Sequence, residues 1–209
     1  MKKYGRTFHL PTSPGVGSDD KIIKDLSHLK TAREVVFTEK MDGENTTILV
    51  GGCHARSPDS GYHITRDWMK AYAAGISPCL TEDERIVGEY LFAKHSVAYD
   101  DLPSFFLGFA WIVGDVIQGW DETLKRFHGL GVEPVPVLRR GQFDEPTVKS
   151  VLKGLDLEKQ EGFVVRSTSF FSEGEMANLV AKYVRARHVQ SDIHWTKAEI
   201  IKNSLRSKS

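Results

Sequence analysis

The segment VVFTEKMDGENTTILV, residues 35–50, constrains this chain more than any other stretch. Its two flanks are rich in β-branched residues and each predicts a β-strand. The Asp42-Gly43 pair between them is typical of a hairpin turn. A hairpin, however, requires neither a lysine two residues before the aspartate, at Lys40, nor Glu44 and Asn45 after the glycine. The segment therefore predicts either a hairpin with an unusual lysine or a loop with a chemical role.

Lys40 is a candidate nucleophile if this loop lies in a partly closed site. Removing the proton of an ordinary lysine, with a pKa of about 10.4, costs roughly 4.6 kcal/mol at pH 7. Carboxylates beside the amine favour its charged form and make that cost larger. On an open surface the same charges would form an ion pair worth under about 1 kcal/mol. A reactive Lys40 therefore needs burial, other cations, or a metal ion that neutralises the acids.

Composition limits where the protein acts and what it binds. The 209 residues include 28 basic and 28 acidic side chains, so any phosphate must be bound by a local cluster rather than by a global field. Two cysteines, Cys53 and Cys79, predict no disulfide framework, and their spacing to nearby histidines matches no zinc finger. The first ten residues lack the apolar core of a signal peptide, and no apolar run is long enough to span a bilayer. We expect a cytoplasmic protein with no membrane partner.

Hydrophobic patterning predicts a strand-dominated α+β chain. After an irregular arm of about 20 residues, the patterns predict helices at 21–29, 68–75, 120–130 and 145–155. Further strands are predicted at 85–92, 105–113, 132–138, 161–167 and 179–189, and the basic tail, residues 191–209, is predicted to be helical. On pattern alone, the aromatic residues of strand 105–113, Phe109 among them, belong to the core.

Four predicted strands each carry one charged residue among apolar neighbours, namely Lys40, Glu89, Glu161 and Lys182. One such residue could lie at a sheet edge, but four of them predict convergence on one pocket. Two lysines beside two carboxylates suit a triphosphate with a divalent ion. The chain contains neither a P-loop nor a Gly-rich helix start, so this nucleotide site would be of another type.

Five blocks, EKMDGEN, GEYLFAKHS, FFLGFAWI, EGFVV and AKYVR, follow one another in this order. Together they resemble the covalent nucleotidyltransferase superfamily of ATP-dependent polynucleotide ligases and mRNA-capping enzymes, and most of all the phage and bacterial RNA ligase 2 kind. The resemblance runs from about residue 6 to residue 203. It implies an α+β nucleotidyltransferase (ATP-grasp-like ligase) fold of antiparallel sheets with flanking helices. Residues 1–190 would form the adenylyltransferase domain, with the tail, 191–209, packed on it.

The resemblance also implies a reaction and the residues for it. Lys40 would attack the α-phosphate of ATP and carry AMP, which passes to a 5′-phosphate end before a 3′-hydroxyl displaces it. The implied cofactors are ATP and Mg²⁺ or Mn²⁺. The catalytic residues would be Lys40, Glu161 (also the metal ligand) and Lys182 (on the α-phosphate). The cofactor-binding residues would be Glu39, Asn45 and Arg56 at the phosphate or nucleic-acid end, Glu89 on the ribose, Phe109 stacked on adenine, and Lys182.

Three departures from the family pattern matter. Ala110 stands where the family usually has an aspartate, and Val184 stands where it has a second lysine. Fewer than 30 residues follow Lys182, too few for the OB-fold of DNA ligases and capping enzymes. The expectation is a monomeric RNA ligase without an OB-fold domain, acting on RNA ends or nicked duplexes, with an RNA end-healing enzyme as a partner. A DNA-joining or capping enzyme and a non-catalytic module that binds nucleotides or RNA ends are the alternatives.

Overall fold

The computed structural model describes residues 2–56, 64–186 and 200–207. Their strands are β1 (Phe8–His9), β2 (Val35–Glu39), β3 (Glu44–Leu49), β4 (Gly52–Ala55), β5 (Glu84–Tyr90), β6 (Phe106–Val113), β7 (Val116–Ile117), β8 (Glu133–Pro134), β9 (Val137–Gly141), β10 (Gly162–Ser167), β11 (Phe171–Ser172) and β12 (Val180–Val184). Their α-helices are α1 (Ser27–Thr31), α2 (Asp67–Ile76), α3 (Trp120–Leu130), α4 (Glu145–Gly154) and α5 (Met176–Leu179). Among the described residues, no helix is long and apolar enough to cross a membrane.

The strands form two sheets. The first sheet has the order β1-β12-β10-β2-β9, and the second has the order β11-β7-β6-β5-β3-β4 with β8 beside β6. Neighbouring strands run antiparallel except for the β1–β12 and β6–β8 pairs. This architecture confirms the predicted α+β fold of antiparallel sheets with flanking helices.

Alternation along the strands divides the core into three parts. Ile86 of β5 packs with α2 and α3 on one face of the second sheet, whereas its neighbour Val87 packs on the other face. Phe37 and Val165 of the first sheet pack with α1 and α4. The third part lies between the two sheets, where Val87 meets Val180 of β12. Both sheets therefore bury apolar side chains on each of their faces. Full burial of one side chain of this size stabilises the fold by about 1.5–3 kcal/mol.

The predicted helix at residues 21–29 is wrong over residues 21–26. Residues 21–23 are extended beside β1, with the His9 N–H donating to the Lys21 carbonyl at 2.7 Å and the Ile23 N–H donating to the His9 carbonyl at 2.8 Å. Ile23 is buried while Ile22 is 44% exposed, the alternation of a strand. The amphipathic pattern was real, but β1 takes up the backbone groups that a helix would need, and α1 begins only at Ser27.

The described part of the tail is not helical either. Residues 200–207 lie in an extended conformation against the connection between β5 and β6, with bridges from Lys202 to Ala93 and from Leu205 to Leu102. The Asn203 N–H donates to the Phe92 carbonyl at 3.0 Å. Backbone groups bonded in this way are not available for a helix. The predicted tail residues 191–199, and residues 187–189 of the predicted last strand, lie outside the described residues.

Candidate active site

The loop that carries Lys40 connects the two sheets. β2 of the first sheet ends at Glu39, and β3 of the second begins at Glu44, so only four residues cross between them. The Lys40 N–H donates to the Gly162 carbonyl at 3.0 Å, which ties the loop to β10. A Cβ on Gly43 would lie 2.4 Å from the Tyr90 carbonyl oxygen, so this position accepts only glycine. The loop is therefore fixed at both ends.

Lys40 contacts Glu161, the acid that precedes β10. Its amine lies 2.5 Å from a Glu161 carboxylate oxygen, and the two side chains are 22% and 3% exposed. Burial lowers the pKa of the Lys40 amine, but Glu161 and then Glu89 raise it by more, so this pKa lies above its ordinary value. Without nucleotide, the site therefore keeps Lys40 as an ammonium. This is the barrier to nucleophilic attack that we expected from the acidic residues around it.

The second sheet contributes Glu89 and Asn45, which are paired across β5 and β3. A Glu89 carboxylate oxygen accepts the Gly43 N–H at 3.2 Å. Burial raises the pKa of Glu89 to about 8, against the opposing charge of Lys40. The side-chain oxygen of Asn45 is buried and receives no hydrogen bond from the described parts of the chain. An acceptor in this state is suited to a donor from a ligand, because buried polar groups are nearly always paired.

Lys182 projects from β12 and joins the same charge network. Burial lowers the pKa of its amine, and the charge of Lys40 lowers it further, while Asp20 acts in the opposite direction. The Lys182 amine lies 3.3 Å from an Asp20 carboxylate oxygen. Lys40 thus interacts electrostatically with each of Glu89, Glu161 and Lys182, so the four charged residues that the pattern singled out are linked through it.

Phe109 lies at the edge of the core between the sheets. Its ring is half-buried, packs in the same apolar cluster as Val164 of β10, and lies 5.3 Å from the Tyr4 ring. The pattern-based placement in the core therefore holds in part, and the exposed part of the ring leaves room for stacking. Ala110, which stands where the family has an aspartate, is completely buried. Its methyl group offers no polar contact at this position.

Two predicted cofactor-binding residues lie differently. Glu39 accepts a hydrogen bond from the Gln160 side chain at 2.8 Å, and burial raises the pKa of its carboxyl. Arg56 follows β4, where its N–H donates to the Asn45 carbonyl at 2.9 Å and its side chain is exposed. Neither side chain contacts Lys40 in the described structure, so their assignment to the nucleotide or nucleic-acid end remains a prediction.

A metal ion fits this site only with help from a ligand. Within the described residues, no group of three or more His, Cys, Asp or Glu side chains could hold an ion. Mg²⁺ is commonly held by one or two carboxylates together with substrate phosphates and water. Glu161 supplies such a carboxylate beside Lys40, so the site fits a metal that arrives with a triphosphate.

Asp42 has a role that the sequence did not indicate. One carboxylate oxygen accepts the Ser96 N–H at 2.7 Å, the Ser96 hydroxyl at 2.7 Å and the Val97 N–H at 2.8 Å. The Asp42 N–H in turn donates to the Tyr99 hydroxyl at 2.9 Å. Asp42 thereby holds the Lys40 loop against the segment after β5. Its partners are more than 50 residues away, so no local signal could have identified them.

Comparison with solved structures relates the fold to ATP-dependent ligases. An archaeal ATP-dependent RNA ligase, form 2, has a TM-score of 0.61 at 16% identity, covering 88% of this chain and 48% of that protein. A putative ATP-dependent DNA ligase from Aquifex aeolicus has a TM-score of 0.58 at 17% identity, covering 88% and 50%. A Naegleria gruberi RNA ligase variant, solved with AMP and Mn, has a TM-score of 0.56 at 17% identity, covering 78% and 52%.

These likenesses are to the fold, and the chain spans about half the length of the proteins it resembles. No curated protein matches it in sequence. The family model described as RNA ligase matches residues 33–184, which include β2 through β12 and most of the site described above. The chain therefore belongs to the RNA ligase family.

Proposed function

We propose that the protein is an ATP-dependent RNA ligase that works through a covalent lysyl-AMP intermediate. The nitrogen of Lys40 would form a bond to the α-phosphorus of ATP while the bond to the pyrophosphate oxygen breaks. The AMP would then pass to a 5′-phosphate, and a 3′-hydroxyl would displace it and seal the strand. The observation that carries this proposal is the position of Lys40, half-buried between the two sheets against Glu161 and close enough to Lys182 to lower its pKa.

The first step requires Lys40 to lose a proton. Glu161 contacts the amine and holds it as an ammonium, so its charge must be offset before the proton leaves to solvent. Mg²⁺ or Mn²⁺, bound through Glu161 and the phosphates, would supply charge neutralisation on both. Such neutralisation would reduce the hold of Glu161 on the Lys40 proton. The Naegleria ligase solved with AMP and Mn is consistent with this choice of nucleotide and metal.

The other site residues would hold the nucleotide in position. We place the α-phosphate beside Lys182, because its ammonium is the second cation of the site. Glu89 and the unpaired oxygen of Asn45 would bind hydroxyl groups of the ribose. The adenine would lie against Phe109, whose ring is exposed in part. Phosphoryl transfer of this kind depends mainly on positioning and on charge neutralisation.

Incubation with α-labelled ATP and Mg²⁺ tests the proposal directly. The wild-type protein should retain label in an acid-labile adduct, and Lys40→Ala should retain none. Lys149→Ala, which removes an exposed lysine of α4, is the matched control and should label as the wild type does. Label in Lys40→Ala would contradict the assignment of the nucleophile. Bound nucleotide without an adduct in the wild type would favour the non-catalytic alternative.

A DNA-joining activity is the second candidate, since the fold is also similar to that of a putative DNA ligase. Sealing of nicks that differ only in ribose or deoxyribose at the 3′-hydroxyl separates the two. An RNA ligase should require the ribose, whereas a DNA ligase should not. Labelling by GTP instead of ATP would indicate a capping enzyme. The cytoplasmic location, the monomeric state and the end-healing partner stay predictions.

A further inference from the structure

The N-terminal arm, residues 8–20, is bonded along the strand that carries Lys182. β1 pairs with β12 in parallel, with His9 opposite Lys182. The Leu10 N–H donates to the Lys182 carbonyl at 2.7 Å, and the Gly15 N–H donates to the Val184 carbonyl at 3.0 Å. Because paired residues of neighbouring strands point to the same face of a sheet, the side chains of His9 and Lys182 lie together.

A series of contacts through the N-terminal arm connects two residues of β12, Val184 and Lys182. The Val184 N–H donates to the Ser13 hydroxyl oxygen at 2.9 Å, which lies 2.8 Å from the His9 Nδ1. The His9 Nε2 lies 3.2 Å from one carboxylate oxygen of Asp20. The other oxygen of Asp20 accepts from the Lys182 amine at 3.3 Å. His9 is 1% exposed, so the middle of this series is sealed from water.

The Ser13 and His9 side chains are fixed between β12 and Asp20. The Ser13 hydroxyl donates to the Val184 carbonyl at 3.3 Å, and its oxygen lies 2.8 Å from the His9 Nδ1. The His9 Nε2 is 3.2 Å from Asp20 but forms no aligned hydrogen bond within the described residues, so His9 limits the position of this carboxylate by contact. Burial lowers the pKa of His9, and the charge of Lys182 adds to this, which favours the neutral ring. Asp20, held also by the Gly17 N–H at 3.1 Å, then presents a fixed carboxylate to Lys182.

We propose that Asp20, oriented by His9 and Ser13, is a positioning residue that aims the Lys182 ammonium at the α-phosphate. This inference rests on the proposed function, in which Lys182 contacts that phosphate. An ammonium has three donors, and Asp20 accepts one, which leaves two for the phosphate. A lysine side chain loses conformational entropy when it is fixed in one rotamer. Because Asp20 fixes Lys182 before ATP binds, this cost is not added to the barrier of the reaction. Its charge also supports the charge of Lys182 beside Lys40.

Single-turnover transfer of label from α-labelled ATP to Lys40 tests this role. With Asp20→Asn, the rate constant at saturating ATP should fall about tenfold, because the free energy of ordering one lysine side chain corresponds to a factor of about this size. The ATP concentration that gives half of the maximal rate should change less than about threefold. Asp20→Glu should recover part of the rate. Asp19→Asn makes the same charge change at the exposed neighbouring residue and should leave the rate unchanged.

A second measurement separates positioning from general damage to the fold. Lys182 is surrounded by Asp20, His9, Lys40 and Glu161, and only the first of these changes in Asp20→Asn. Removing this carboxylate should lower the pKa of Lys182, so the high-pH decline of the rate should begin at lower pH. Asp20→Glu should keep the wild-type profile. Loss of fold would lower the rate at every pH and would also lower the melting temperature.

The outcomes distinguish this inference from the proposed function. If the wild type forms no adduct, the proposed function fails first. If the wild type forms the adduct and Asp20→Asn forms it as fast, with the same pH profile, only the positioning role is overturned. A faster Asp20→Asn would show that Asp20 restrains Lys182 and would also overturn it. Should Asp20→Asn melt early, Asp20→Glu decides: a stable Asp20→Glu that is as slow as Asp20→Asn contradicts the proposal.

Discussion

Lys40 and Glu161 are 121 residues apart in the chain, yet the amine of one lies 2.5 Å from the carboxylate of the other. The contact joins the loop after β2 to the residue that precedes β10, so both charges are fixed by the first sheet. It holds the proposed nucleophile in place and at the same time keeps it protonated. Any reaction at Lys40 must therefore remove the influence of Glu161.

The first prediction concerns pH and metal. Because the pKa of Lys40 is raised, the fraction of free amine increases with pH up to that pKa. Without a divalent ion, adduct formation should be slow at neutral pH and should recover as pH rises. Single-turnover labelling with EDTA or with Mg²⁺, from about pH 6 to about pH 10, measures both profiles. A metal-free rate that does not depend on pH would contradict the prediction.

The second prediction concerns Glu161→Gln. The amide keeps a hydrogen-bond acceptor near Lys40 but removes the negative charge, so the pKa of Lys40 should fall. The low-pH rise of the labelling rate should move to lower pH. The maximal rate should nevertheless fall by about 100-fold, because the carboxylate that would hold the metal is lost. Glu158→Gln, at an exposed residue, is the control and should change neither property.

The third prediction concerns Glu89 and stability. The pKa of this carboxyl is raised to about 8, so the folded protein keeps a proton that the unfolded chain releases. Folding stability should therefore fall as pH rises between the unfolded and folded pKa values, by no more than about 5 kcal/mol. Glu89→Gln should lose this dependence and keep the acceptor for the Gly43 N–H. Denaturant unfolding at pH 5 and pH 8 checks the difference, with Glu82→Gln as the exposed control.

The fourth prediction concerns Asp42→Asn. A neutral amide oxygen binds the Ser96 and Val97 donors more weakly than the carboxylate does, which should cost about 2 kcal/mol of stability. Since the same residue holds the Lys40 loop, adduct formation should slow as well. Melting and labelling of this variant should be compared with Asp100→Asn, an exposed change in the neighbouring segment. Equal melting temperatures of the two variants would refute this role of Asp42.

Local pattern was enough for most strands and for three helices. Ile86 and Val87 alternate between two apolar faces, and α3 and α4 end close to their glycines, as their periodicity predicted. Pattern failed at residues 21–26, where apolar spacing suited a helix. There the carbonyl and N–H of His9 offered the backbone a different partner, and no property of the segment itself reveals that.

The sequence by itself determined the family, most of the longer strands and helices, and the charged residues that stand out among apolar neighbours: Lys40, Glu89, Glu161 and Lys182. Only the tertiary structure decided which charged side chains form ion pairs and hydrogen bonds. Lys182 and Asp20 are 162 residues apart, and Asp42 meets Ser96 across 54. Residue type and spacing act over a few neighbours, whereas these contacts exist because two sheets and an N-terminal arm pack together. The chemistry can therefore be anticipated from the chain, but its positioning depends on the fold.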